Sequence, residues 1–162
     1  MAEVHAFLHN IRSVYNVGSM FRSADGAGIA RLYLCGYTAT PEHRKLHKTA
    51  LGAEEAVPWL HDRDGLGAAV RLRAAGYHLW ALELAPAADS LFAVGRLPQD
   101  APVVLVVGNE VQGLEPELLA LCERVLAIPM RGVKESLNVA VAFGVAAYHL
   151  CQGLEPAGSP LS

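Results

Sequence analysis

At 162 residues, 52% of them hydrophobic and 18% charged, the chain is long enough to bury a sizeable core as one globular domain. A formal net charge of -3 and a pI near 6.1 exclude a globally basic nucleic-acid coat, so any phosphate contact has to come from a local patch. Cys35, Cys122 and Cys151 are an odd set without C-x-x-C spacing, which suits reduced core thiols in the cytosol better than a disulfide framework.

In chain order, Glu3 to His9 reads as a short strand, and its Glu3, His5 and His9 interrupt the opening apolar residues too often for a secretory signal. A helix is expected to start near Asn16, a good N-cap, with Val17, Met20, Phe21 and Ala24 as its buried stripe and Gly26 and Gly28 as its end. Arg22 is off that stripe. Arg31 to Cys35 is the next strand. Residues 36–55 break the regular pattern, being long, polar and histidine-rich; they hold the chain's dense basic cluster, His43, Arg44, Lys45, His47 and Lys48. Ala56 to Leu60 looks like a strand, Asp64 to Ala75 like a helix stopped by Gly76, and Tyr77 to Leu82 like a further strand. A short helical turn is expected at Ser90-Leu91-Phe92.

Val103 to Val107 is a continuous aliphatic run, the pattern of a strand buried on both faces of a parallel sheet. Gly108 then permits a sharp turn, and Asn109, Glu110, Gln112 and Gly113 follow at the sheet's carboxyl edge, where open α/β sheets bind ligands. After a short helix, the strand Val125 to Ile128 ends in Pro129-Met130-Arg131-Gly132, and Ser136-Leu137-Asn138 opens an apolar helix running to Leu150. Two such loops from adjacent strands are expected to enclose one small molecule. That helix is too short to span a bilayer, so a soluble cytoplasmic protein is expected. The tail, 154–162, carries prolines and no core pattern and reads as frayed, which leaves one domain over 1–153. Alternating strands and helices call for an α/β fold, a mostly parallel sheet with helices on both faces.

Several chemistries lack their residues. Gly26-Ala27-Gly28 closes a helix and has no third glycine, so the dinucleotide fingerprint is missing. No Walker lysine or G-x-S-x-G elbow occurs. His43 and His47 are four apart but have no third ligand nearby, so no metal is expected.

Three ordered segments do match a known pattern. NIRSVYNVGSMFRSADGAG at Asn10 to Gly28, then VVLVVGNEVQGL, then IPMRGVKESLNVAVA, resemble the motifs of the SpoU (TrmH-like) branch of the SPOUT RNA methyltransferases. The resemblance covers nearly the whole chain, and its G-x-E-x-x-G-L and S-L-N-V-x-V-A elements are specific. It implies a C-terminal trefoil knot, a homodimer with a shared active site, S-adenosylmethionine as methyl donor and an RNA ribose 2'-hydroxyl as acceptor. Chains do not ordinarily thread loops, so periodicity alone would never suggest the knot.

By the same resemblance, Asn16, Arg22, Glu110, Ser136 and Asn138 converge on the reacting hydroxyl, while Leu82, Gly108, Ile128, Met130 and Leu137 form the cofactor pocket. Plainer roles stand beside these. Ile128 and Leu137 suit the core, Asn16 suits a helix cap, Ser136 suits the cap of the last helix, and Glu110 suits a loop carboxylate holding a backbone N–H. Arg22 is assigned in the family to activating the hydroxyl, with or without the help of an RNA phosphate; as a permanent cation it suits phosphate binding better than proton abstraction, whereas Glu110 is the more natural acceptor. Arg12, Arg44, Lys45, His47 and Lys48 are candidate RNA contacts, against the alternative of a solvated face.

No separate RNA-binding domain precedes the motifs, so a compact substrate such as tRNA is expected rather than a large rRNA footprint. The alternatives are the same transfer on rRNA, a knotted RNA-binding or assembly protein without turnover, and a small-molecule methyltransferase.

Overall fold

The computed structural model describes residues 2–152, and the tail expected to fray lies outside the described residues. Seven strands, all pairing in parallel, form one sheet: β1 (Val4–His9), β2 (Leu32–Cys35), β3 (Trp59–Asp62), β4 (His78–Leu82), β5 (Asp89–Ser90), β6 (Val103–Val107) and β7 (Arg124–Ala127). Their spatial order is β3-β2-β1-β6-β4-β7-β5. Six helices join them: α1 (Val14–Ala27), α2 (His47–Ala50), α3 (Ala53–Ala56), α4 (Gly65–Ala74), α5 (Pro116–Leu119) and α6 (Val139–Gln152).

The aliphatic run in β6 is buried at every position, because helices cover both faces of the sheet. Val103, Leu105 and Val107 face α1 and α6, where they meet Met20, Phe21, Phe143 and Ala146. Val104 and Val106 face the opposite layer with Phe7, Ala69, Leu79 and Leu118. Each such side chain removed from water contributes roughly 1.5–3 kcal/mol, so the two cores, rather than local propensity, hold the strands in place. Cys35 is buried and Cys122 and Cys151 are half-buried, all as free thiols; burial pushes them up to about 12, about 12 and about 11, which keeps them protonated.

Several boundaries differ from the sequence reading, each for a local reason. Helix α1 begins at Val14 because Ser13, not Asn16, is its N-cap: the Ser13 hydroxyl accepts the Asn16 N–H at 3.1 Å. Asn16 is thereby inside the first turn, and its side chain takes no part in the cap. Residues 36–55, read as irregular, contain a 3-10 turn at Arg44–Leu46 and then α2 and α3, which pack against α1. The strand expected at 56–60 lies at Trp59–Asp62, because Val57 is buried where α3 ends and the pairing with β2 sets Trp59 opposite Leu32.

The last helix starts at Val139, not Ser136, because Asn138 caps it: its side-chain oxygen accepts the Ala140 N–H at 2.9 Å and the Val141 N–H at 3.3 Å. Ser136 lies in the exposed segment before it. Strands β6 and β7 are also not neighbours, since β4 runs between them. No helix among the described residues is long and apolar enough to cross a membrane.

Candidate functional site

Parallel strands deliver their following loops to one edge, and here β1, β4, β6 and β7 do so side by side. The centre of that edge is Glu110, three residues beyond β6. Its Oε1 accepts the Arg12 N–H at 2.8 Å, and its Oε2 accepts the Ser13 N–H at 2.9 Å and the Asn16 amide nitrogen at 3.1 Å. The carboxylate therefore ties the β6 loop both to the two residues that lead into α1 and to the Asn16 side chain in its first turn. Partial burial works to raise its pKa, but the Arg12 and Ser13 N–H groups and the Asn16 amide outweigh this and hold it below the ordinary carboxylate value. A carboxylate so engaged is a poor proton acceptor.

Asn138 extends the chain of contacts, its amide nitrogen lying 3.5 Å from the Asn16 side-chain oxygen. Three of the expected catalytic residues, Asn16, Glu110 and Asn138, are thus joined, and they link segments far apart in sequence.

Beside this network lies an open cavity of about 320 Å³. All five residues expected to hold a cofactor, Leu82, Gly108, Ile128, Met130 and Leu137, line it, and so do Glu110 and Ser136. The apolar side chains give it flat walls, while the 108–113 turn gives it main-chain polar groups. The turn is tight, with the Gly113 N–H bonded to the Asn109 carbonyl at 2.9 Å. A side chain on Gly108 would lie 2.7 Å from the Gly113 backbone, and Gly113 itself has φ +69 with the Glu83 carboxyl directly against it. Only glycine fits at either point. Gly113→Ala is expected to cost about 1–3 kcal/mol through strain and collision. Differential scanning calorimetry would register this as a Tm fall of roughly 3–10 °C.

Arg22 stands apart from this cluster. It is exposed on α1, and the arginine ion pairs among the described residues are Arg71 with Asp62 and Arg124 with Asp89. The expected RNA-contacting residues are also outside the cavity. Arg12 gives its backbone N–H to Glu110, while Arg44, Lys45 and Lys48 are exposed on the short helices flanking α1. His47 is partly committed to the fold, since its Nδ1 lies 2.8 Å from a buried Glu54 oxygen.

Sequence reasoning missed two features of the site. One is the contribution of β4: Glu83, one residue past that strand, lines the cavity and accepts the Leu114 N–H at 2.9 Å. Its position at a strand's carboxyl end was the available signal. The other is a brace at the ends of β1, β2 and β6. Asn10, in the left-handed region at φ 55, accepts the Tyr37 N–H at 3.1 Å, and Asn109 donates to the Tyr37 hydroxyl at 2.8 Å and to the Asn10 carbonyl at 3.0 Å. An asparagine just past a strand tolerates that backbone, and this was the available signal for Asn10.

Comparison with known proteins gives a consistent picture. The chain is 28% identical over 153 residues to a tRNA (guanosine(18)-2'-O)-methyltransferase from Aquifex aeolicus, covering 94% of this chain and 70% of that protein. It is 35% identical over 136 residues to a 23S rRNA (guanosine(2553)-2'-O)-methyltransferase from Bacillus subtilis, covering 83% of this chain but 52% of the relative. Among solved structures, an AdoMet-bound rRNA methyltransferase from Sinorhizobium meliloti matches with a TM-score of 0.85 at 27% identity, over 95% of this chain and 57% of that one. The chain thus spans little more than half the length of two of these three. The sequence pattern of the SpoU rRNA Methylase family matches residues 3–148, which include the cavity, the Glu110 network and Arg22, and the chain belongs to that family.

Proposed function

We propose that this chain is an S-adenosylmethionine-dependent methyltransferase acting on an RNA ribose 2'-hydroxyl, with tRNA as its first candidate substrate. The observation that carries the reading is the cavity beside the Asn16–Glu110–Asn138 network, lined by every residue expected to hold the cofactor. The residues fit such a group: the volume is at the lower end of small-molecule sites, about 300–1,000 Å³, and the walls combine apolar faces with main-chain donors and acceptors. Bound S-adenosylmethionine supplies an electrophilic methyl group.

The chain's own residues then position the acceptor. Glu110 fixes the entry of α1 against the cofactor loop, Asn16 and Asn138 brace that junction beside the cavity, and Ser136 adds a hydroxyl at the cavity wall. We assign Arg22 to an RNA phosphate, which orients the nucleotide and polarises its surroundings. Arg12, Arg44, Lys45, His47 and Lys48 extend the phosphate track along the same flank.

A homodimer fits the isolation of Arg22, which reaches a reaction centre most simply from a second subunit. It also fits the exposed apolar residues Val141 and Tyr148 on α6, which are 53% and 46% exposed. Light scattering at micromolar concentration is expected to return twice the 17.3 kDa chain mass, and a monomer would contradict the shared site. We propose a trefoil knot in the C-terminal half, a reading that rests on the resemblance of the three motifs to those of the SPOUT methyltransferases. One domain over 1–153 and a cytosolic location, in keeping with the free thiols, complete the proposal.

The Aquifex relative supports tRNA, and the Bacillus relative supports rRNA as a second reading. The test is transfer of labelled methyl from S-adenosylmethionine to bulk tRNA and, separately, to rRNA from cells lacking the protein. Label in one pool supports the reading and identifies the substrate. Retention of RNA without label in either pool, despite bound cofactor, would support a non-catalytic RNA-binding role instead.

A further inference from the structure

Glu83 and Glu110 are the acidic side chains lining the cavity among the described residues, and they differ in one respect. Both Glu110 oxygens are occupied by donors of the β1–α1 loop. Glu83 is half satisfied. Its backbone N–H is fixed to the Leu126 carbonyl of β7 at 2.9 Å, and its Oε1 accepts the Leu114 N–H at 2.9 Å. Its Oε2 is buried with no hydrogen-bond partner. Burial pushes this carboxyl above its ordinary pKa, with the Leu114 N–H working in the opposite direction.

An unsatisfied buried acceptor is costly and rare in folded proteins, and it calls for a partner. Among the described residues no donor meets Oε2, whereas the cavity does adjoin Glu83. The terminal torsion of a glutamate is broad, so the carboxyl turns toward a donor without leaving its rotamer. Of the apolar lining residues, Leu82, Ile128 and Leu137 carry no side-chain acceptor and the Met130 thioether is only a weak one, so they suit the face of a purine rather than its hydroxyl donors. A ribose carries two adjacent O–H donors, and a carboxylate is the strongest side-chain acceptor available for them. Carboxylates at strand ends bind nucleoside ribose hydroxyls elsewhere in α/β folds for the same reason.

We infer that Glu83 contacts the ligand directly, its Oε2 accepting a hydrogen bond from a ribose hydroxyl of the nucleoside cofactor. This rests on the methyltransferase reading and adds a residue to it. Glu83 then distinguishes ribose from deoxyribose in the cofactor, and links ligand occupancy to the Gly113-Leu114 turn through its other oxygen.

The test is calorimetric binding without turnover. S-adenosylhomocysteine and its 2'-deoxy and 3'-deoxy analogues are titrated into wild-type protein and Glu83→Gln, whose amide oxygen still accepts the Leu114 N–H. Wild type is expected to bind one deoxy analogue about 10–100-fold more weakly than the parent. Glu83→Gln is expected to bind the parent more weakly by a similar factor and to lose little more with that analogue. Equal binding of all three ligands by wild type would overturn the inference even if the variant folds poorly. So would a Glu83→Gln penalty that persists undiminished for both analogues, since that marks a role in the turn alone. Failure of wild type to bind S-adenosylhomocysteine at all would overturn the methyltransferase reading, and the inference with it.

Discussion

Glu110→Ala is expected to lower methyl transfer by about 10²–10³-fold, chiefly in kcat, and to destabilise the protein by about 1–3 kcal/mol. The reason is geometric. One carboxylate holds the Arg12 and Ser13 N–H groups and the Asn16 amide, so its loss frees both the start of α1 and the cofactor loop at once. A displacement of about 1 Å at such a junction is enough for the rate effect. Water replaces part of the lost bonding because the site is only partly buried, which keeps the stability cost modest. Glu110→Gln is expected to recover little, since its NH₂ would face a donor whichever way the amide is turned.

The pH dependence separates this latch from a proton acceptor. The folded pKa of Glu110 lies below its unfolded value of about 4.3, so the ionised group stabilises the fold above that pH. That contribution is lost as pH falls through the depressed folded pKa. The stability gap between wild type and Glu110→Gln, followed by thermal melts, is therefore expected to be constant from pH 7 to about 5 and to narrow on further acidification. A gap that widened in acid would contradict the latch.

Arg22→Ala is expected to have the opposite signature, a loss of about 10²–10⁴-fold in transfer with a melting temperature unchanged to within about 0.5 kcal/mol of stability. Arg22 is exposed and takes no part in the ion pairs among the described residues, so its loss is expected to leave the fold intact. Cofactor affinity should also stay at the wild-type level, because Arg22 does not line the cavity. If the residue holds a phosphate, Arg22→Lys keeps the charge but loses the planar fork, and recovers part of the rate. The salt dependence of RNA binding should fall by about 0.7–0.9 in log–log slope for the alanine variant. A change in melting temperature of several degrees without loss of transfer would contradict the assignment.

The sequence made the centre of the fold legible and its edges obscure, for physical reasons. Val103–Val107 announced itself because a strand buried on both faces has no room for a polar residue. The two-residue β5 carries no periodicity, and α2 and α3, at four residues each, are too short to show a buried stripe. The pocket residues were reached through the motif resemblance, and their common cavity is a product of strand order. That order places β4 between β6 and β7, which no local pattern encodes, and so Glu83 was overlooked although Leu82 was not. Asn16 read as the helix cap and Ser13 as part of the turn before it; in the fold Ser13 caps the helix and the Asn16 side chain is bonded to Glu110, 94 residues away, a contact that no local pattern shows.

The most direct measurement is the chemical identity of the methylated product. RNA labelled by the wild-type protein from S-adenosylmethionine would be digested to nucleosides and, in parallel, treated with alkali. The expected result is label in a 2'-O-methylnucleoside and in an alkali-resistant dinucleotide, because a methylated ribose oxygen cannot attack the adjacent phosphate. Label confined to a methylated base would contradict the ribose hydroxyl as acceptor.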